Sequence, residues 1–298
     1  MSLPRWNNMV IIHTLIDHLD SEFDTLRLFI KSPATDPRQK VELIGVNHPF
    51  KVTHERWSTL YNLELTRNAF NPHTRQAHAN IILNIDFERR NPYRISDSST
   101  ISDLDAIWEE NPEVKDYLEP HDYVQSDAEE IRNLANSIVD DDQGFWSAVR
   151  AIAQWVTTYI AYSYDLQHTK YRGALETLKS RRGTCSDFVH LFLALTRSKN
   201  IPSRAIVGLQ QHRRSWKMHS WAEVYDPQIG WAPLDLVAQP VNLTLGNSYI
   251  GISAGYNCEV RFYAYYSSDM DESNAKVNLK LKQHYFIRNQ PIEIEFYD

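Results

Sequence analysis

The sequence predicts an α+β protein in which an N-terminal antiparallel β-sandwich domain is followed by a core with a cysteine-bearing helix packed on an antiparallel sheet. Three observations predict it. Between about residues 8 and 95, short β-rich runs alternate with polar clusters. From residue 126 to about 198, apolar residues recur at helical spacing, and beyond 200 the period of two returns. At 298 residues and 42% hydrophobic content, the chain can bury two cores.

The strand runs are "MVIIHTLID", "TLRLFIK", "KVELIGV", "STLYNLELT" and "ANIILNIDFE". Alternation puts their apolar residues on one face, and the two prolines of "SPATDPRQK" mark a loop. These runs define a β-rich domain over 1–105. The charged, proline-punctuated segment "NPYRISDSSTISDLDAIWEENPEVKDYLEPHD" reads as a linker. A second domain would then occupy 106–298, with its core at about 160–265. Its first helix starts in "SDAEEIRNLANSIVDD", where Ser126 and Glu129 have capping-box spacing ahead of Ile131, Leu134 and Ile138. A second helix places Phe145, Val149, Ile152 and Val156 on one face. "VRFYAYYSS" and "YFIRNQPIEIEFYD" return to strand patterning.

Composition excludes several classes. Lys and Arg number 31 against 38 Asp and Glu, a net charge of −7, which argues against nucleic acid as a partner. Two distant cysteines, Cys185 and Cys258, make neither a disulfide framework nor a zinc cluster, so no metal and no cofactor are expected. Cys185, His190 and His219 also have poor spacing for a metal site. The N-terminal apolar run is too short and too interrupted for a signal or membrane segment. The expectation is a cytoplasmic protein with no membrane partner.

Cys185 opens an amphipathic run in "RRGTCSDFVHLFLALTRSKNIPSRAIVG". Thr184 is the expected N-cap, bonding at Asp187, and Phe188, Leu191, Phe192 and Leu195 form one buried stripe. Free cysteines are commonly core residues. This one lies in a first helical turn, where unpaired N–H groups and the helix dipole favour a thiolate.

"MHSWAEVYDPQIGWAPLD" reads as a β-hairpin. If Tyr225 faces Trp231, Asp235 lies opposite Trp221 and diagonal to His219, about 7 to 8 Å away at the backbone. A carboxylate there can hold an imidazole. A thiol, a base and an orienting carboxylate are the parts nucleophilic catalysis needs.

Together "GTCSDFVHLFLALTR", "IPSRAIVG", "HSWAEVY" and "GWAPLD" resemble the transglutaminase-like superfamily, in particular its bacterial branch of predicted cysteine peptidases. The likeness covers about 160–240 and is weaker in "YIGISAGYNCEVRFY". It implies a papain-like core with Cys185 as nucleophile, His219 as base and Asp235 as its orienting partner. The implied activity is a thiol hydrolase, a cysteine peptidase or amidase acting on a peptide or protein substrate through an acyl-enzyme thioester. A protein-glutamine acyltransferase using the same triad and a non-catalytic binding module are the alternatives. Departures are "LVAQP" after Asp235, where many relatives carry Pro-Thr, and Ser186, where the animal cross-linking enzymes have Trp.

Supporting roles are assigned more loosely. Tyr164 and Gln167 are candidates for a second oxyanion donor. His190 lies one residue off the apolar stripe, near the site or in a structural bond. Trp221 and Trp231 wall the cleft or simply pack across strands. Cys258 is expected in the core, and "QQHRRSWKMH" as a basic, mobile loop.

Overall fold

The computed structural model describes residues 9–18, 25–33, 35–36, 38–54, 58–87, 96–166, 171–212, 215–238, 245, 248–256, 258, 264–268, 279–287 and 290–293. The first six strands are β1 (Met9–His18), β2 (Thr25–Ser32), β3 (Gln39–Val46), β4 (Phe50–His54), β5 (Thr59–Thr66) and β6 (Gln76–Phe87). Helices α1 (Leu104–Glu110), α2 (Glu129–Ile138) and α3 (Phe145–Tyr159) follow. Next come β7 (Ala161–Tyr162), α4 (Ala174–Ser180), β8 (Arg182–Gly183) and α5 (Cys185–Ser198). The chain continues through β9 (Ser203–His212), β10 (Ser215–Asp226), β11 (Gly230–Leu234) and β12 (Tyr249–Gly255). Strands β13 (Ala264–Ser268), β14 (Leu279–Ile287) and β15 (Gln290–Glu293) close it.

The N-terminal strands form as their alternation requires. Val10, Ile12 and Ile16 of β1, Leu26, Leu28 and Ile30 of β2, and Ala79, Ile81, Leu83 and Ile85 of β6 are buried in one shared cluster. They belong to two antiparallel sheets, ordered β15-β14-β1-β6-β3 and β13-β2-β5-β4. Strand β4, only five residues long, escapes the sequence reading, and every residue in it is exposed. Strands β14 and β13 pair with β1 and β2, so the C-terminal part of the chain returns to complete the N-terminal sheets. Period-two patterning identifies a strand without naming its neighbour.

The expected linker is corrected. Its described part, from residue 96, carries α1 and two 3₁₀ turns and buries Ile101, Leu104, Trp108 and Val114 in the helical core. Trp108 Nε1 donates to Asn200 O at 2.8 Å, tying the segment to the end of α5. Its apolar residues sit on turns too short to show a period.

Helix α2 buries Ile131 and packs Leu134 and Ile138 as expected, yet it starts at Glu129 with Ala128 as N-cap and no side-chain cap, so the Ser126 capping box does not form. Helix α3 is capped from a distance: the Asp97 carboxylate accepts the N–H groups of Trp146 and Ser147 at 2.7 and 3.0 Å.

The third sheet, ordered β11-β10-β9-β12, is antiparallel and carries α5 against it. Its two faces and ends join both cores. Ala222, Val224 and Leu234 pack with the helices, whereas Leu209, Trp216, Ile250 and Ile252 pack with the N-terminal sheets. The supposed mobile loop at 210–219 is the end of the β9–β10 hairpin, with Gln211 opposite Trp216; residues 213 and 214 lie outside the described residues. Where the two cores meet, Glu223 is 1% exposed and pairs with Arg38 Nη2 at 2.9 Å and Arg204 Nη2 at 2.7 Å. Gln39, next to Arg38, exchanges two hydrogen bonds with the Gly251 backbone, at 2.6 and 3.0 Å. Glu223→Gln would leave buried guanidinium charge without its counter-charge, and the expected loss is about 3 kcal/mol of stability, read as a lower urea midpoint.

Candidate active site

Cys185 is the first residue of α5 and is partly exposed. The chain enters the helix through Gly183, where an added Cβ would lie 2.5 Å from Asp187 Cβ, so the tight entry requires glycine. The capping expected at Thr184 forms reciprocally, and Asp187 Oδ2 accepts the Thr184 N–H at 2.7 Å. Ser186 Oγ meets Ser220 Oγ at 3.2 Å, holding this first turn beside β10 at the residue after His219.

The hairpin pairs Tyr225 with Trp231 and Ala222 with Leu234, the expected register. Asp226 sets the turn by accepting the N–H groups of Gln228 and Ile229 at 2.7 and 2.9 Å, and Gly230 takes φ +75°. With this register His219 Nε2 lies 3.0 Å from Asp235 Oδ2. The same imidazole and the Ser220 N–H lie beside the Cys185 thiol and act to lower its pKa. His219 is 7% exposed and Asp235 fully buried.

Electrostatics favour charge separation. Burial by itself raises the Cys185 pKa, but the hydrogen bond and charge of His219 and the Ser220 N–H outweigh it and bring the thiol below its ordinary range. Burial by itself lowers that of His219, and Asp235 together with Cys185 reverse this and raise it. The pair is therefore biased toward thiolate and imidazolium.

Other expected residues separate. Trp221, fully buried, stacks on His219 with ring centroids 6.4 Å apart. Trp231 lies instead against Tyr117 and Tyr225, with Arg204 over its ring at 4.2 Å. His190 is structural: Nδ1 donates to Arg172 O at 2.8 Å and Nε2 accepts from Cys258 N at 2.9 Å. Burial holds its pKa down to about 4, keeping it neutral. Tyr164 is 75% exposed and packs edge-on to Tyr162, on the surface. Gln167 lies outside the described residues. Cys258 is fully buried, as expected, and burial raises its pKa.

Two residues at the site were missed. Tyr249 donates to Asp235 Oδ2 at 2.7 Å, and Gln210 Nε2 reaches the same oxygen at 3.2 Å. Their signal was the strand pattern of β9 and β12, which gives a face and no partner. Among the described residues, no group of three or more His, Cys, Asp or Glu is arranged to hold a metal ion.

A cysteine at a helix start, a strand histidine and a carboxylate on the next strand define a fold and site suited to cysteine-based catalysis. Residues 132–236 match the family model described as transglutaminase-like superfamily, and the chain carries a domain of that superfamily. An uncharacterized protein of Mycobacterium leprae (strain TN) is 29% identical over 117 residues, 36% of this chain and 39% of that protein. The chain thus spans about two fifths of the length of this curated relative. Among solved structures, a candidate cysteine protease from Cytophaga hutchinsonii matches with TM-score 0.58 and 18% identity, over 98% of this chain and 94% of that one. It shares the fold along nearly the whole chain.

The periplasmic domain of TgpA from Pseudomonas aeruginosa also matches, with TM-score 0.37 and 16% identity, over 74% of this chain and 73% of that one. The cytoplasmic location expected from the sequence is not retained. Unpaired cysteines and a short apolar start do not fix a compartment. No helix among the described residues is long and apolar enough to cross a membrane.

Proposed function

We propose that the protein is a thiol hydrolase that cleaves amide bonds in a peptide or protein substrate through Cys185, His219 and Asp235. The observation that carries this reading is the His219 imidazole, whose Nε2 is 3.0 Å from Asp235 Oδ2 and which lies beside the thiol at the start of α5 and lowers its pKa. In this reading the two facing N-terminal sheets form a β-sandwich joined to a papain-like core.

The Cys185 thiolate attacks the substrate carbonyl carbon, forming the C–S bond and pushing the carbonyl electrons onto oxygen. The Cys185 N–H, unpaired within the helix at its first turn, donates to that oxyanion. Collapse breaks the C–N bond, and the His219 imidazolium gives its proton to the departing amine. Neutral His219 then takes a proton from water as the water attacks the thioester, and loss of the thiolate restores the pair. Asp235 holds Nε2–H throughout, so the nitrogen that serves the sulfur is Nδ1.

An amine entering in place of water would make the same acyl-enzyme a transferase. Ammonia release from a glutamine peptide with and without added primary amine separates the two: hydrolysis releases ammonia at the same rate in both. Iodoacetamide labelling tests the site itself. Cys185 is expected to alkylate at least about 100-fold faster than Cys258 at pH 7, because thiolate fraction and access both favour it. Equal sluggishness would instead support a non-catalytic binding module.

A further inference from the structure

We propose that Tyr249 and Gln210 are positioning residues that lock the Asp235 carboxylate onto His219, so that strand β12, beyond the matched segment 132–236, forms part of the catalytic apparatus. The inference rests on the Cys185–His219–Asp235 reading. Three donors converge on one buried oxygen: Asp235 Oδ2 is 3.0 Å from His219 Nε2, 2.7 Å from the Tyr249 hydroxyl and 3.2 Å from Gln210 Nε2. The other oxygen accepts the Val237 N–H at 2.9 Å. With both oxygens held, the carboxylate cannot rotate away from the ring without losing a donor.

The direction of each bond follows from the donor count. Gln210 Nε2 donates to the Tyr249 hydroxyl at 2.6 Å. The phenol has one proton, and Gln210 occupies its acceptor side, so that proton goes to Asp235. Burial and then the Asp235 charge raise the phenol pKa, so it remains a donor wherever the enzyme works. The backbone fixes the pair, since Tyr249 and Gln210 are direct partners across β12 and β9. Close packing beside them leaves little freedom: a Cβ on Gly208 would lie 2.0 Å from Ile250 O and 2.8 Å from Trp221, whose ring stands edge-on to Tyr249 at 5.5 Å.

A donor to a carboxylate stabilises its charged form, so removing the Tyr249 hydroxyl raises the pH at which Asp235 protonates and releases His219. Among the described residues, the ionisable groups around this centre are Cys185 from α5, His219 of β10 and Tyr249 of β12, with the buried Cys258 near Cys185. Beyond them, Arg38 lies over Trp221 at 5.9 Å and the Glu223–Arg204 pair sits further along the sheet. None of these outer groups is touched by a Tyr-to-Phe change.

The test is the rate of Cys185 alkylation by iodoacetamide from pH 4 to 9 in the parent, Tyr249→Phe and Gln210→Met, with circular dichroism as the folding control. In Tyr249→Phe the acid limb is expected to move up by about one pH unit. Gln210→Met is expected to move it the same way by less, and carries the test alone if Tyr249→Phe fails to fold. A purely structural role would lower stability without displacing the limb. Folded variants whose profiles overlay a reactive parent overturn this inference and leave the triad standing; a parent whose Cys185 is no more reactive than an ordinary thiol overturns the triad and this inference with it.

Discussion

Cys185→Ser is expected to lower peptide turnover by about 10⁴-fold or more, measured against a broad peptide library, while the variant keeps the parent's circular dichroism and urea midpoint. The size follows from chemistry. Serine fits the space, but its hydroxyl ionises far above the range that His219 and the helix start can reach, so the ion pair never forms. Because Cys185 is partly exposed at the first turn, the exchange disturbs little packing. Cys258→Ser is the matched control: that residue is fully buried beside His190, so a hydroxyl there costs stability while turnover persists. Turnover in Cys185→Ser within tenfold of the parent, or equal loss in both variants, would remove Cys185 from the chemistry.

How far the sequence reached depends on the range of the interactions involved. The entry to α5 was legible because glycine, Thr184, Asp187 and the apolar stripe act within one or two turns. The His219 to Asp235 approach was legible for a related reason. Their hairpin turn, fixed by Asp226 and Gly230, sets the register locally, and a register carries side chains with it. Partners contributed by distant segments were not legible. Tyr249 and Gln210 pair through strands separated by the whole β10–β11 hairpin, and no period in either strand encodes that Asp235 lies beneath them. The same holds for β13 and β14, which cross back to the first two strands, and for Asp97, which caps a helix that begins at Phe145. For His190 the sequence left a place near the site and a structural bond both open, and both of its nitrogens are spent on backbone groups.

Asp235→Asn is expected to lower turnover by about 10²- to 10⁴-fold, through the protonation of the pair more than through its geometry. Asp235 acts on the thiol in two opposing ways. Its charge repels the thiolate directly, and it also stabilises the imidazolium that holds the thiolate. The second effect dominates, because the bond and charge of His219 weigh more on Cys185 than the Asp235 repulsion does. Loss of the carboxylate therefore lowers the His219 pKa and raises that of Cys185, and alkylation of Cys185 at pH 6 should fall about tenfold or more. Stability gives an independent reading of the same linkage. The Asp235 pKa is lowered in the fold, where bonds from His219, Tyr249 and Val237 overcome burial, so its contribution is present above about pH 4 and is lost as pH falls through the folded value. The His219 pKa is raised, so its contribution is complete below about pH 6.5 and is lost as pH rises through the folded value. Both contributions are present together between about pH 4 and 6.5. The gap in urea midpoint between parent and Asp235→Asn should be widest in that window and narrow on either side. A gap that stays constant from pH 4 to 10 would mean that the 3.0 Å contact is ordinary packing and not a charged pair.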